Sequence, residues 1–193
     1  MPLKFYLFQI AYILLHLSSS LAQASQGTGF FIHPKGFLIT NYHVIENAQN
    51  ITVKYNNSLH SARVVSSFEE VDLALLKADV ESVKHFVDVK APKPAALADE
   101  VYTVGFPNIA LQGISPKYTD GVISSRKGFK DDPNTYQISV PIQPGNSGGA
   151  LISKNSRQVV GVVVSKMRGA ENVAYAIKGK YVAPLASMAS LLG

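Results

Sequence analysis

Short β-forming stretches recur along this chain in two sets, and that spacing constrains the fold more than any other feature of the sequence. Gly29 to Ile32, Phe37 to Thr40, Ile51 to Lys54, Ala62 to Ser67 and Leu73 to Lys77 form the first set. The second comprises Val101 to Gly105, Tyr118 to Ser124, Tyr136 to Val140, Ala150 to Ile152, Val159 to Ser165 and Asn172 to Ala176. Short stretches of this kind, rich in β-branched and aromatic residues and separated by turn formers, are the pattern of an all-β barrel or sandwich. Two sets imply two barrels. Between them, Ala91-Pro92-Lys93-Pro94-Ala95-Ala96 contains two prolines, which lack the N–H that a strand ladder needs, so it reads as a linker. The expected division is an N-terminal barrel over 25–90, a linker over 91–96 and a C-terminal barrel over 97–193. A helix from Val182 to Leu192 should end the chain, its apolar face packed on the body.

Residues 1–24 are expected to stand outside that globule. Lys4 precedes an apolar run of 13 residues, Phe5 to Leu17, followed by Ser18-Ser19-Ser20 and Ala22-Gln23-Ala24. The run is short for a membrane span, and the small residues at 22 and 24 suit a signal peptidase, which predicts cleavage before Ser25. The released protein would be periplasmic or extracellular, with no stable membrane insertion. The chain has no cysteine, so a disulfide framework is excluded. Two triplets, Asn50-Ile51-Thr52 and Asn56-Asn57-Ser58, fit the glycosylation pattern, which arises often by chance. Lys4 is the only charged residue of the leader, so the remainder carries 17 Lys+Arg against 13 Asp+Glu. These basic residues are scattered in small groups such as Arg126-Lys127, and nucleic-acid binding is not expected.

The chemistry concentrates in Pro144-Gly145-Asn146-Ser147-Gly148-Gly149. A serine hydroxyl attacks an amide poorly unless a base takes its proton and fixed donors receive the developing oxyanion. Glycines permit the tight turn that would let the N–H groups of Gly145 and Ser147 converge beside the Ser147 hydroxyl. Of five histidines, His43 has the fitting context, after the apolar run that starts at Gly36. Asp72 heads Leu73-Ala74-Leu75-Leu76 and is the acid that should be buried and paired with His43. Glu69 and Glu70 are rival acids, but they follow the polar Ser66-Ser67 and read as a solvated loop. His33, His60 and His85 read as surface residues without zinc-ligand spacing, and a metal is not implied.

Four blocks carry a family resemblance: Gly27-Thr28-Gly29-Phe30-Phe31, Thr40-Asn41-Tyr42-His43-Val44-Ile45, Asp72-Leu73-Ala74-Leu75-Leu76 and Gly145-Asn146-Ser147-Gly148-Gly149-Ala150-Leu151. Together they resemble the trypsin-like serine peptidases of the Deg/HtrA type, whose order His, Asp, Ser is that of the chymotrypsin clan. The resemblance implies two six-stranded antiparallel β-barrels, with His43 and Asp72 from the first and Ser147 from the second meeting in the cleft between them. It implies a serine endopeptidase acting on proteins or peptides, without a cofactor. A catalytically silent peptide-binding or chaperone-like protein of the same fold is the alternative.

By position in such a fold, Ile142 and Gln143 before the nucleophile, and Val162, Val163 and Val164 after it, would bind substrate, with Ile142 near the pocket floor. No acid stands among them to pair with Arg or Lys, so cleavage after a small or medium aliphatic residue is expected. Where trypsin-like zymogens place an aspartate before the nucleophile, this chain has Asn146, which disfavours activation by an ion pair with a new N-terminus. Control through the order of loops 108–117 and 126–135 is expected instead. With 16 residues after Ile177, no PDZ domain is expected, and a monomer is the simplest assembly.

Overall fold

The computed structural model describes residues 10–16, 26–89, 93–107, 112–164 and 173–193. Twelve strands among them close two barrels. Strands β1 (Ile10–His16), β2 (Gln26–Phe31), β3 (Phe37–Thr40), β4 (Asn50–Tyr55), β5 (Ser58–Phe68) and β6 (Leu73–Ala78) form the first, in the order β1-β2-β3-β6-β5-β4. Strands β7 (Glu100–Gly105), β8 (Lys117–Ser125), β9 (Thr135–Ile138), β10 (Ala150–Ser153), β11 (Val159–Val164) and β12 (Ala174–Lys178) form the second, in the order β10-β11-β12-β9-β8-β7. All the pairings are antiparallel. One helical turn, α1 (Tyr42–Ile45), follows β3, and helix α2 (Val182–Leu192) ends the chain with the bounds its sequence predicts.

Local chemistry explains the strands. In β4, Ile51, Val53 and Tyr55 are buried while Asn50, Thr52 and Lys54 are not, the period-2 alternation of a one-sided strand. Asn56 and Asn57 both take positive φ and join β4 to β5 as a two-residue hairpin in which Tyr55 pairs with Ser58. Strand β3 is buried along its whole length because it has apolar partners on both faces. Leu38 joins the interior of the first barrel with Phe31, Val53, Ala74 and Leu76. Phe37 and Ile39 instead join a layer between the barrels, built from Phe30, Leu73 and Leu75 on one side and Ile152, Val159 and Val162 on the other. Helix α2 lays Val182, Leu185, Ala186 and Ala189 on that same layer. A third cluster, including Val101, Ile123, Leu151 and Val163, fills the second barrel.

The first barrel takes in part of the stretch that the sequence reads as a leader. Five of its strands are legible in the sequence, but the sixth, β1, comes from the apolar run assigned to the leader. It pairs with β2 from Ile10↔Phe30 to Leu14↔Gln26 and with β4 from Tyr12↔Lys54 to His16↔Asn50. A short continuous apolar run serves equally as the core of a leader and as a barrel strand, and periodicity cannot separate the two. The linker at 91–96 lies partly outside the described residues. Its end is docked on the second barrel, where the Ala95 N–H donates to the Tyr136 hydroxyl at 3.0 Å.

Candidate active site

His43 and Asp72 meet because β3 and β6 are paired neighbours, with Thr40 opposite Ala74. The chain leaves β3 at Asn41, turns through α1 and passes over the start of β6. There three consecutive residues grip Asp72. The Asn41 Nδ2 and the Tyr42 N–H both donate to its carbonyl, at 2.9 and 3.2 Å. The His43 N–H donates to Oδ1 at 2.8 Å, and His43 Nδ1 lies 2.7 Å from Oδ2. A carboxylate only accepts, so the proton of the neutral imidazole sits on Nδ1 and Nε2 is left as the basic nitrogen.

Asp72 itself is not in a core. The side chains of His43 and Asp72 are 16% and 30% exposed, so the pair stands at the rim of the first barrel. This corrects the expectation of a buried acid: Asp72 closes the 3-10 turn Glu69–Val71 in a left-handed conformation, φ 55°, and that turn lifts it clear of the buried run that begins at Leu73. Glu69 and Glu70 are exposed on the same turn, as expected.

Ser147 sits between β9 and β10 in a loop held by backbone bonds. The Asn146 N–H donates to Gln143 O and the Gly149 N–H to Asn146 O, each at 3.0 Å. Strand β11 grips the loop from one side, with Gly148 N–H to Val163 O at 3.0 Å and Val163 N–H to Gly149 O at 2.9 Å. The first barrel grips it from the other, where the Thr28 N–H in β2 donates to Ser147 O at 2.8 Å. Gly148 holds φ +87°, and a Cβ there would lie 2.2 Å from Thr28 O and 2.9 Å from the Asn41 nitrogen. A Cβ on Gly27 would lie 2.6 Å from Val44 Cγ1 and 3.2 Å from Ser147 O. Close approach at these two glycines brings the serine loop against the segment 41–44 that carries His43.

The neighbouring residues divide. Ile142 is half-buried against the interior of the second barrel, and Gln143 is exposed, its Oε1 accepting a 2.6 Å bond from Gln112 Nε2. Val162 and Val163 are corrected: both are 0% exposed, one in the inter-barrel layer and the other in the second barrel, so neither side chain can line an open pocket. β11 has apolar partners on both faces, which its run of valines cannot reveal. Val164 is only partly buried. Residues 165–172, which follow it, lie outside the described residues, as do 108–111 of one loop expected to control the site. The other loop, 126–135, forms the 3-10 turn Phe129–Asp131, closed by the Gly128 N–H on Asp132 O at 2.9 Å. Asn146 is buried with its Oδ1 turned toward Gly105, where a Cβ would lie 2.6 Å away.

Sequence reasoning assigned no role to Thr28, Thr40 or Asn41. Each is a wholly buried polar residue in or beside an apolar strand, and that misplacement is the signal that marks them.

The trypsin-like peptidase domain family matches residues 27–162. A probable periplasmic serine endoprotease, DegP-like, from Rickettsia prowazekii (strain Madrid E) is 38% identical over 144 residues, which are 70% of this chain and 27% of that protein. The serine protease Do-like HtrB of Bacillus subtilis (strain 168) is 33% identical over 162 residues, 78% of this chain and 35% of the relative. The chain therefore spans about a third or less of the length of these relatives. Among solved structures, the serine endoprotease from Yersinia pestis superposes with a TM-score of 0.73 at 25% identity, covering 94% of this chain and 62% of that one.

Proposed function

Because the chain belongs to the trypsin-like peptidase domain family, we propose that it is a serine endopeptidase that cleaves peptide bonds through an acyl-enzyme on Ser147. The observation that carries this reading is the double hold of Asp72 on His43, through the backbone N–H and through Nδ1, beside a serine loop bonded to the same barrel. That hold orients the imidazole and leaves Nε2 to work as the base.

In the first half-reaction the Ser147 Oγ attacks the substrate carbonyl carbon and its proton passes to His43 Nε2. The Asp72 carboxylate stabilises the imidazolium so formed. The N–H groups of Gly145 and Ser147 receive the oxyanion. His43 then gives its proton to the leaving amine as the C–N bond breaks. Water attacks the acyl-enzyme by the same route in reverse, His43 taking the water proton and returning it to Ser147 Oγ as the acid leaves. Small activated esters should react by the same chemistry.

The substrate is a protein or peptide with a small or medium aliphatic residue before the scissile bond. The half-buried Ile142 and Val164 support this preference, and neither they nor Gln143 offers a charge to a basic side chain. The relatives named periplasmic support export, and among the described residues no helix is long and apolar enough to cross a membrane. N-terminal sequencing of the protein recovered from its compartment tests export and β1 together. Cleavage after Ala24 would remove β1 from the barrel, and an N-terminus before Ile10 would keep it.

Labelling of the full chain with a fluorophosphonate probe tests the central reading. Wild-type labelling that is lost in Ser147→Ala supports it. Equal labelling of the two, or none in either when aliphatic peptides are added, would replace the peptidase with the peptide-binding alternative.

A further inference from the structure

Thr28 stands in the middle of β2 with 0% of its surface exposed. A hydroxyl in that position costs stability unless it finds partners, and here it has partners on the far side of the barrel boundary. Its Oγ1 donates to the Gly145 carbonyl at 2.7 Å and accepts the Phe106 N–H, just beyond β7, at 3.2 Å. Its backbone N–H donates to Ser147 O at 2.8 Å, and its carbonyl accepts the Thr40 hydroxyl at 2.8 Å. Thr40 ends β3, three residues before His43. One residue thus ties the serine loop, the end of β7 and the strand leading to the histidine.

The bond to Gly145 O has a particular position. The peptide between Gly145 and Asn146 lies between the two N–H groups assigned to the oxyanion hole. Its N–H end donates to Gln143 O at 3.0 Å, and its carbonyl end receives the Thr28 hydroxyl. Rotating that peptide breaks both bonds. With the carbonyl of Ser147 also held by the Thr28 N–H, the backbone on either side of the Ser147 N–H is pinned by a single residue of the other barrel.

We propose that the Thr28 hydroxyl is a positioning group that holds the Gly145–Asn146 peptide, and through it the nucleophile loop, in the orientation that catalysis requires. It acts across the barrel boundary and touches no substrate. The inference rests on the peptidase reading of Ser147, and its test is arranged so that the two can fail separately. Valine has the shape of threonine without donor or acceptor, and serine keeps the hydroxyl and loses the methyl group, so Thr28→Val and Thr28→Ser divide the two contributions.

Two measurements on the full chain decide it. Deuterium exchange of a peptide spanning residues 142–152 needs no activity; it should be faster than wild type in Thr28→Val and at the wild-type rate in Thr28→Ser. With p-nitrophenyl acetate as substrate, Thr28→Val should lose about tenfold to a hundredfold in kcat with KM within about twofold, while Thr28→Ser keeps both. A valine variant whose loop exchanges like wild type overturns the proposal, whatever its activity. Equal impairment of both variants also overturns it, because the methyl group rather than the hydroxyl would then be responsible. If wild type and Ser147→Ala are equally unreactive, the peptidase reading has failed, and the exchange measurement still decides whether Thr28 holds the loop.

Discussion

In the first barrel the site is held by side chains: both oxygens of the Asp72 carboxylate are taken by His43, and Asn41 reaches the Asp72 carbonyl through its amide. In the second barrel the Ser147 loop is held mainly by backbone, through Asn146, Gly148, Gly149 and Val163 on one side and the Thr28 N–H on the other, with the Thr28 hydroxyl on Gly145 O added from a side chain. The two kinds of hold fail differently. A side-chain bond is cut by changing one atom, with the fold intact, whereas the backbone bonds of the loop survive such a change, as in Thr28→Val, but not an added Cβ. The histidine end should therefore break in chemistry before stability, and the serine end in both together.

The largest effect expected from breaking the histidine end is in His43→Ala. Loss of the base alone should lower kcat by on the order of 10⁶-fold, with an unchanged unfolding midpoint in urea. Asp72→Asn keeps the shape but favours the wrong tautomer, and should cost about 10⁴-fold in kcat, again with little change in the midpoint. Both are read by ester hydrolysis beside a urea titration. A large stability loss in Asp72→Asn would show that the two ends are not held so differently.

Gly148→Ala breaks the other end. It adds a Cβ at a positive φ and within 2.2 Å of Thr28 O, so the loop and β2 must part. A stability loss of about 2–3 kcal/mol in urea, together with loss of probe labelling, is expected. Full labelling in a destabilised Gly148→Ala protein would contradict the backbone account.

The smallest effect belongs to a contact remote from both ends, which sharpens the comparison. Lys154 lies 2.5 Å from Asp120 and 3.6 Å from Glu100, joining β7, β8 and the turn after β10. The hydrogen bond with Lys154 holds the Asp120 carboxyl below its usual range, and the same bond raises Lys154. A depressed carboxylate contributes stability above the ordinary carboxylate range and loses it as the pH falls through its own lower value. Wild type should therefore melt slightly above Lys154→Met at neutral pH, and the two should converge in acid below about pH 3.8. Such a partly exposed pair is screened by solvent, and raising the salt concentration should narrow the gap.

Much of this architecture is legible in the sequence. Alternating patterns mark β4 and β7, continuous apolar runs mark β3 and β6, and the apolar residues at helical spacing mark α2. The pairing of His43 with Asp72 was legible too, since a lone acid heading an apolar strand needs a partner. What was not legible shares a cause. β1 was hidden because an apolar run does not say what will cover it, and the valines of β11 gave no sign that both faces would be buried. Asp72 was expected in a core, but a three-residue turn closed by Asp72 itself in a left-handed conformation raises it to the rim.

The chain's sequence by itself determined the strand-forming segments, the terminal helix and the residue types able to do nucleophilic chemistry, because those follow from local pattern and side-chain identity. Only the tertiary structure decided which strand closed the first barrel, which valines became core and which hydroxyl tied the serine loop to the histidine strand. Those outcomes depend on contacts between residues far apart in the chain. Thr28 and Gly145 are separated by 117 positions, and nothing local to either residue encodes the 2.7 Å bond between them.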